Sequence, residues 1–106
     1  MILTTVKSIN NVPIRLTDER WSHITTSHLE IDFKDYFEIM VVVEKPDRVL
    51  KGDTGELLAV KKNPGKERWL VVAYKEVSQE DGFILTAYFT TAGQWLFRRE
   101  TLWNNE

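Results

Sequence analysis

The chain has 106 residues, of which 42% are hydrophobic and 28% charged: apolar side chain enough for one core, and length too short for two domains of usual size. Its 14 basic and 16 acidic residues leave a formal charge of −2, so no global basic excess marks a nucleic-acid binder and any polyanion site has to be a local cluster. The absence of cysteine excludes disulfides, thiolate zinc sites and a cysteine nucleophile; with no signal-peptide pattern and no apolar run long enough for a bilayer, a soluble cytoplasmic protein without a membrane partner is expected.

In chain order, residues 2–7 and 13–16 read as short strands around a turn at Asn10-Asn11. Thr17 followed by Asp18 and Glu19 is a helix start, a hydroxyl N-cap with acids facing the positive helix end, and this helix is expected to run to about His28. A second helix is expected over 32–44, capped by Asp32, with Phe33, Phe37, Met40 and Val41 at helical spacing and Pro46 ending it. Segments 48–51, 57–62, 69–77 and 83–91 then read as strands. They are joined by Gly52-Asp53-Thr54-Gly55, Asn63-Pro64-Gly65-Lys66 and Gln79-Glu80-Asp81-Gly82, all hairpin-type turns. The tail 94–103, with Trp95, Leu96, Phe97, Leu102 and Trp103, reads as a last strand or as a helix covering an edge. The expected fold is α+β, with two N-terminal helices packed on an antiparallel four- to six-stranded sheet in a meander, as a single domain over 1–106.

The last hairpin carries a register argument. With Asp81-Gly82 as a two-residue turn, Lys75 falls opposite Tyr88. One face then holds Leu70, Val72 and Tyr74 with Phe83, Leu85, Ala87 and Phe89. The other holds Val71, Ala73 and Lys75 with Thr86, Tyr88 and Thr90, a half-polar face.

The segment 20–28, RWSHITTSH, concentrates both histidines, an arginine, a tryptophan and four hydroxyl residues. Five residues of helix put His23 and His28 roughly 140° apart. Arg20, His23 and Ser27 share one side, and Trp21, Ile24 and His28 the side expected to face the core. A zinc pair wants histidines four apart, so no metal is assigned. The plain structural alternatives are a helix-end His28 bonding a nearby carbonyl and a solvent-facing His23. Of the four tryptophans, Trp95 and Trp103 suit base stacking or an interface.

Arg20-Trp-Ser-His23-Ile-Thr-Thr-Ser-His28, then Pro46-Asp47-Arg-Val, Lys51-Gly-Asp-Thr-Gly-Glu, Leu70-Val-Val-Ala-Tyr-Lys75 and Phe83-Ile-Leu-Thr86-Ala-Tyr88 form an ordered set. Over about residues 15–91 this set resembles the barnase–EndoU–colicin–RelE superfamily, in its small phage- and toxin-associated branch. The resemblance implies helices on an antiparallel sheet and metal-independent endoribonuclease activity without a cofactor, often as the toxin of a toxin–antitoxin pair. RNA would be the substrate and an antitoxin protein a partner. On the matching positions, Arg20, His23, His28 and Tyr88 would be catalytic, and Lys75 and Thr86 would bind substrate. The acidic balance departs from the basic character common among such toxins. The alternative is a non-catalytic binding module on the same fold, acting through an antitoxin or a second copy at Trp95 and Trp103. The site carries one geometric condition: a His28 that faces the core side of the sheet cannot meet Lys75 and Tyr88 on the other, so either the helix ends before His28, or it packs beside the sheet, or the catalytic set is smaller.

Overall fold

The computed structural model describes residues 1–63, Gly65 and 67–105. Among them, seven strands form one mixed sheet. In chain order these are β1 (Ile2–Lys7), β2 (Pro13–Thr17), β3 (Arg48–Lys51), β4 (Leu57–Lys62), β5 (Trp69–Ser78), β6 (Asp81–Thr90) and β7 (Thr101–Asn104). The order across the sheet is β1-β2-β6-β5-β4-β3-β7. The helices are short: α1 (Asp18–Ser27), a 3-10 turn (Phe33–Asp35) leading into α2 (Tyr36–Glu44), and α3 (Gly93–Leu96).

The α+β class stands, but the expected antiparallel sheet of four to six strands under two N-terminal helices does not. The meander β3-β4-β5-β6 is extended at one side by the β1-β2 hairpin, which joins through a parallel pair, and at the other by β7. The β2–β6 pair is brief, Ile14 opposite Gly82 and Arg15 opposite Phe83. It is reinforced by an Arg15–Asp81 ion pair and by the Arg15 guanidinium 5.6 Å from the centre of the Phe83 ring. A parallel pair between segments nearly seventy residues apart leaves no local mark in the sequence.

Helix boundaries follow local chemistry. The Thr17 hydroxyl accepts from the Arg20 amide at 3.2 Å, and His28 is the C-cap of α1. Asp32 and Asp35 form a reciprocal capping box: the Asp32 carboxylate accepts from the Lys34 amide, and Asp35 accepts from the Asp32 amide. In α2 the buried side chains are Ile39, Met40, Val42 and Val43, whereas Phe33 and Phe37 are exposed. The apolar spacing read over 32–44 therefore mixes a buried face with an outward one. The connection expected at 63–66 includes Pro64 and Lys66, which lie outside the described residues.

The sheet is apolar on both faces. The first face packs Ala59, Leu70, Val72, Tyr74, Ile84 and Ala87 against Ile24 of α1 and the buried side of α2. The second face packs Leu50, Leu58, Val60, Val71 and Ala73 under Leu96 and Phe97, where the chain crosses from the end of β6 to the far edge. Gly93 allows this crossing, because a Cβ there would lie 2.6 Å from the Trp69 indole.

The β5–β6 register differs from expectation. The loop is Gln79-Glu80, with Ser78 opposite Asp81, and irregularities at Val77 and Leu85 displace the ladder. Tyr88 lies opposite Val71, and Lys75 lies opposite Phe83. Asp81-Gly82 is not the turn, because Gly82 is where β2 comes close: a Cβ on it would sit 2.5 Å from Ile14 Cδ1 and 2.5 Å from the Lys75 carbonyl. Beyond the two bulges the shift is four residues, an even number, so Leu70, Val72, Ala87 and Phe89 keep the expected core face, and Tyr74 keeps it because β5 alternates without interruption from Leu70 to Tyr74. The bulge at Leu85 reverses its neighbourhood, sending Leu85 to the second face and Ile84 to the first.

Candidate functional site

The parallel β2–β6 pair decides where α1 goes. Because β2 ends at Thr17 and α1 starts at Asp18, the helix continues the line of β2 beside the part of β6 that β2 leaves unpaired. Ten residues of helix advance about 15 Å. That carries its end from the level of Phe83 toward Tyr88 and Thr90, about 3.3 Å per strand residue. Ile24 anchors α1 in the first-face core.

The outcome is a close approach of His28 and Tyr88. Their ring centres are 5.8 Å apart with planes 31° from parallel. His28 Nδ1 also lies 4.0 Å from Glu30 Oε2. His28 is the C-cap, past the last helical residue and with non-helical backbone (φ −125°, ψ 87°), so its ring leaves the side that carries Ile24 and meets Tyr88 of the second face.

Around Tyr88 the second face builds a groove of about 190 Å³ lined by Tyr88, Thr90, Ala92, Trp95, Leu96 and Arg99. Thr86 and Tyr88 are two residues apart on β6 and share this face. The Thr86 hydroxyl is buried without a hydrogen-bond partner among the described residues. Arg99 is held by Asp53 through two hydrogen bonds, 2.8 and 3.2 Å, and donates to the Lys51 carbonyl at 3.4 Å. That fork fixes the plane of the guanidinium at the wall of the groove.

The electrostatics give the groups distinct roles. Burial pushes the Tyr88 phenol above its usual range, against the pull of Arg99 and with a smaller push from Glu56 and Asp53. This phenol keeps its proton through neutral pH and can donate it. The Arg99 guanidinium hydrogen-bonded to Asp53 lowers the Asp53 carboxyl and is itself raised by that bond. Glu56 is lowered by the Thr54 amide that donates to it.

The other expected site residues lie elsewhere. His23 is exposed on the outer side of α1. Arg20 lines a separate recess with Arg15, Thr17, Phe83 and Ile84 at the start of the helix. Lys75 is four strand residues from Val71, the partner of Tyr88, roughly 13 Å along the strand, so the two are not opposite each other. Arg99 was not singled out by the sequence, since nothing local distinguishes it from Arg98; the crossing of the chain over the second face brings it to Tyr88. Among the described residues no group of three or more His, Asp or Glu side chains is placed to hold a metal ion, and no helix is long and apolar enough to cross a membrane.

No protein-family model, curated protein or solved structure matches the chain.

Proposed function

We propose that this chain is a metal-independent endoribonuclease, the toxin of a toxin–antitoxin pair, with His28 and Tyr88 at its reaction centre. The observation that carries this is the 5.8 Å approach of the two rings, brought from a helix end and a strand sixty residues apart. Imidazole can take a proton near neutral pH, and the Tyr88 phenol is held protonated by burial. In this reading His28 removes the ribose 2′-OH proton, the 2′-oxygen attacks the adjacent phosphorus, and the bond to the 5′-oxygen breaks. Tyr88 gives its proton to that leaving oxygen, so the products are a cyclic phosphate and a 5′-hydroxyl. Arg99, at the groove wall, supplies the cation for the phosphoryl oxygens. Arg20 and Lys75 play no part at this centre in the present reading, and His23 faces away from it.

The test is cleavage of mixed cellular RNA, with and without ribosomes and with EDTA present. A positioned acid or base is worth about 10²–10⁴-fold in rate. His28→Ala should lose on that order while His23→Ala keeps wild-type cleavage, both remaining folded by circular dichroism. Equal cleavage by wild type and His28→Ala, or none by wild type on either substrate, would overturn the reading. The second outcome would favour a non-catalytic module acting through a protein partner, which the exposed aromatic rings of Phe33 and Phe37 on the α2 side also support.

A further inference from the structure

A second recess opens on the same sheet face, on the far side of α3 from Tyr88. It measures about 420 Å³ and is lined by Arg48, Lys62, Trp69, Phe97, Asn104 and Asn105, with Asp47 and Val60 completing it. The pairing explains why these residues meet. Tyr88, Val71, Val60, Arg48 and Asn104 are successive partners across β6, β5, β4, β3 and β7. Three strand spacings put Arg48 about 14 Å from Tyr88 on that row.

The chemistry of the recess is aromatic and cationic together. The Trp69 and Phe97 rings meet edge to face, with centres 5.5 Å apart. The Arg48 guanidinium lies 4.6 Å from the centre of Phe97, and Lys62 Nζ 5.7 Å from that of Trp69. On the α3 segment between the two recesses, Trp95 is 61% exposed and carries Arg98 4.1 Å over its ring. Of five such cation–aromatic contacts among the described residues, three gather here, Arg48–Phe97, Lys62–Trp69 and Arg98–Trp95. Stacking rings beside cations are what single-stranded nucleic acid binds, and side-chain amides such as those of Asn104 and Asn105 can bond base edges. Two carboxylates stand by these cations: Asp47 is engaged by the Lys62 amide at 3.0 Å and by Lys61 Nζ at 3.5 Å, and Glu67 Oε2 lies 3.8 Å from Lys62 Nζ. The Lys62–Glu67 pair is solvent-exposed, so it is weak and a phosphate can take the place of the carboxylate.

We infer that the recess between Arg48, Lys62, Trp69 and Phe97 is a nucleotide subsite that takes a base of single-stranded RNA, with its phosphate, flanking the bond cut beside His28 and Tyr88. This deepens the ribonuclease reading and rests on it for the role of the bound strand. The binding itself can be tested apart from cleavage. An oligodeoxynucleotide of mixed sequence with a fluorescent label lacks the 2′-OH and cannot be cut by this chemistry, so anisotropy with it reads binding alone.

Wild type and His23→Ala should bind the probe alike. Arg48→Ala and Lys62→Gln should each bind about tenfold more weakly. Lys62→Gln should also lower the slope of log affinity against log salt by about 0.7, one phosphate contact on a single strand. A change in packing alone would not move that slope. Wild-type affinity and slope in both variants, or no binding by wild type, would overturn the subsite even if the protein cuts RNA. Conversely, weakened binding in the variants with undiminished cleavage by His28→Ala would sustain the subsite and remove the reaction centre.

Discussion

Replacing Gly82 by alanine tests the contact on which the position of α1 depends. The added Cβ would lie 2.5 Å from Ile14 Cδ1 and 2.5 Å from the carbonyl oxygen of Lys75. The isoleucine methyl can turn aside, but the carbonyl is backbone of β5 and moves only with the strand. Overpacking of this kind costs about 1–3 kcal/mol. Against it stands about 0.5–1 kcal/mol recovered because alanine loses less chain entropy than glycine in a strand. The net expectation is a loss of about 1–2 kcal/mol, a fall in melting temperature on the order of 5–10 °C for a domain of this size. Urea unfolding of both proteins, fitted with a shared slope, gives the difference from the midpoints. Hydrogen exchange would place the damage, with amides of β2 exchanging faster and those of β4 unchanged. A Gly82→Ala protein as stable as wild type, or more stable, would refute the close β2–β6 approach and with it the route by which α1 brings His28 to Tyr88.

Two further outcomes are expected. Tyr88→Phe keeps the half-buried ring and removes the proton, so cleavage should fall by about 10²–10⁴-fold while thermal stability stays within about 1 kcal/mol; a variant that cuts RNA like wild type would exclude the phenol as proton donor. Burial raises the phenols of both Tyr74 and Tyr88, in Tyr74 with a further push from Glu76. The folded state therefore holds these protons after the unfolded chain has begun to release them near pH 10. The stability they confer is complete below that value and declines as pH rises through the folded-state pKa values, at up to about 1.4 kcal/mol per pH unit for each phenol. Thermal melts from pH 8 to 11 should show the decline and Tyr74→Phe should reduce it; a flat profile in wild type would contradict the burial of these rings.

The sequence by itself determined what short-range chemistry controls. Thr17 caps α1 and Asp32 caps the 3-10 turn that leads into α2, where a hydroxyl and a carboxylate can reach free amides, and α2 ends ahead of Pro46. β3, β4 and β5 fall where alternation and turn residues put them, and the core side of β5 holds Leu70, Val72 and Tyr74. His28 and Tyr88 were legible as candidates, one from its setting in RWSHITTSH and the other from the polar side of its strand. The tertiary structure decided the rest, because it turns on partners far apart in the chain. Pairing of Ile14 with Gly82 converts an apparent turn glycine into a strand contact and lays α1 along the edge of β6. Moving the turn from Asp81-Gly82 to Gln79-Glu80 slides the ladder four places, so Tyr88 meets Val71 in place of Lys75, and this even step preserves the core face beyond the two bulges at Val77 and Leu85. The crossing over Gly93 covers the second face and brings Arg99 beside Tyr88, and Phe97 beside Trp69. A local pattern specifies which way a side chain points from its own strand; only the packed sheet specifies what it meets there.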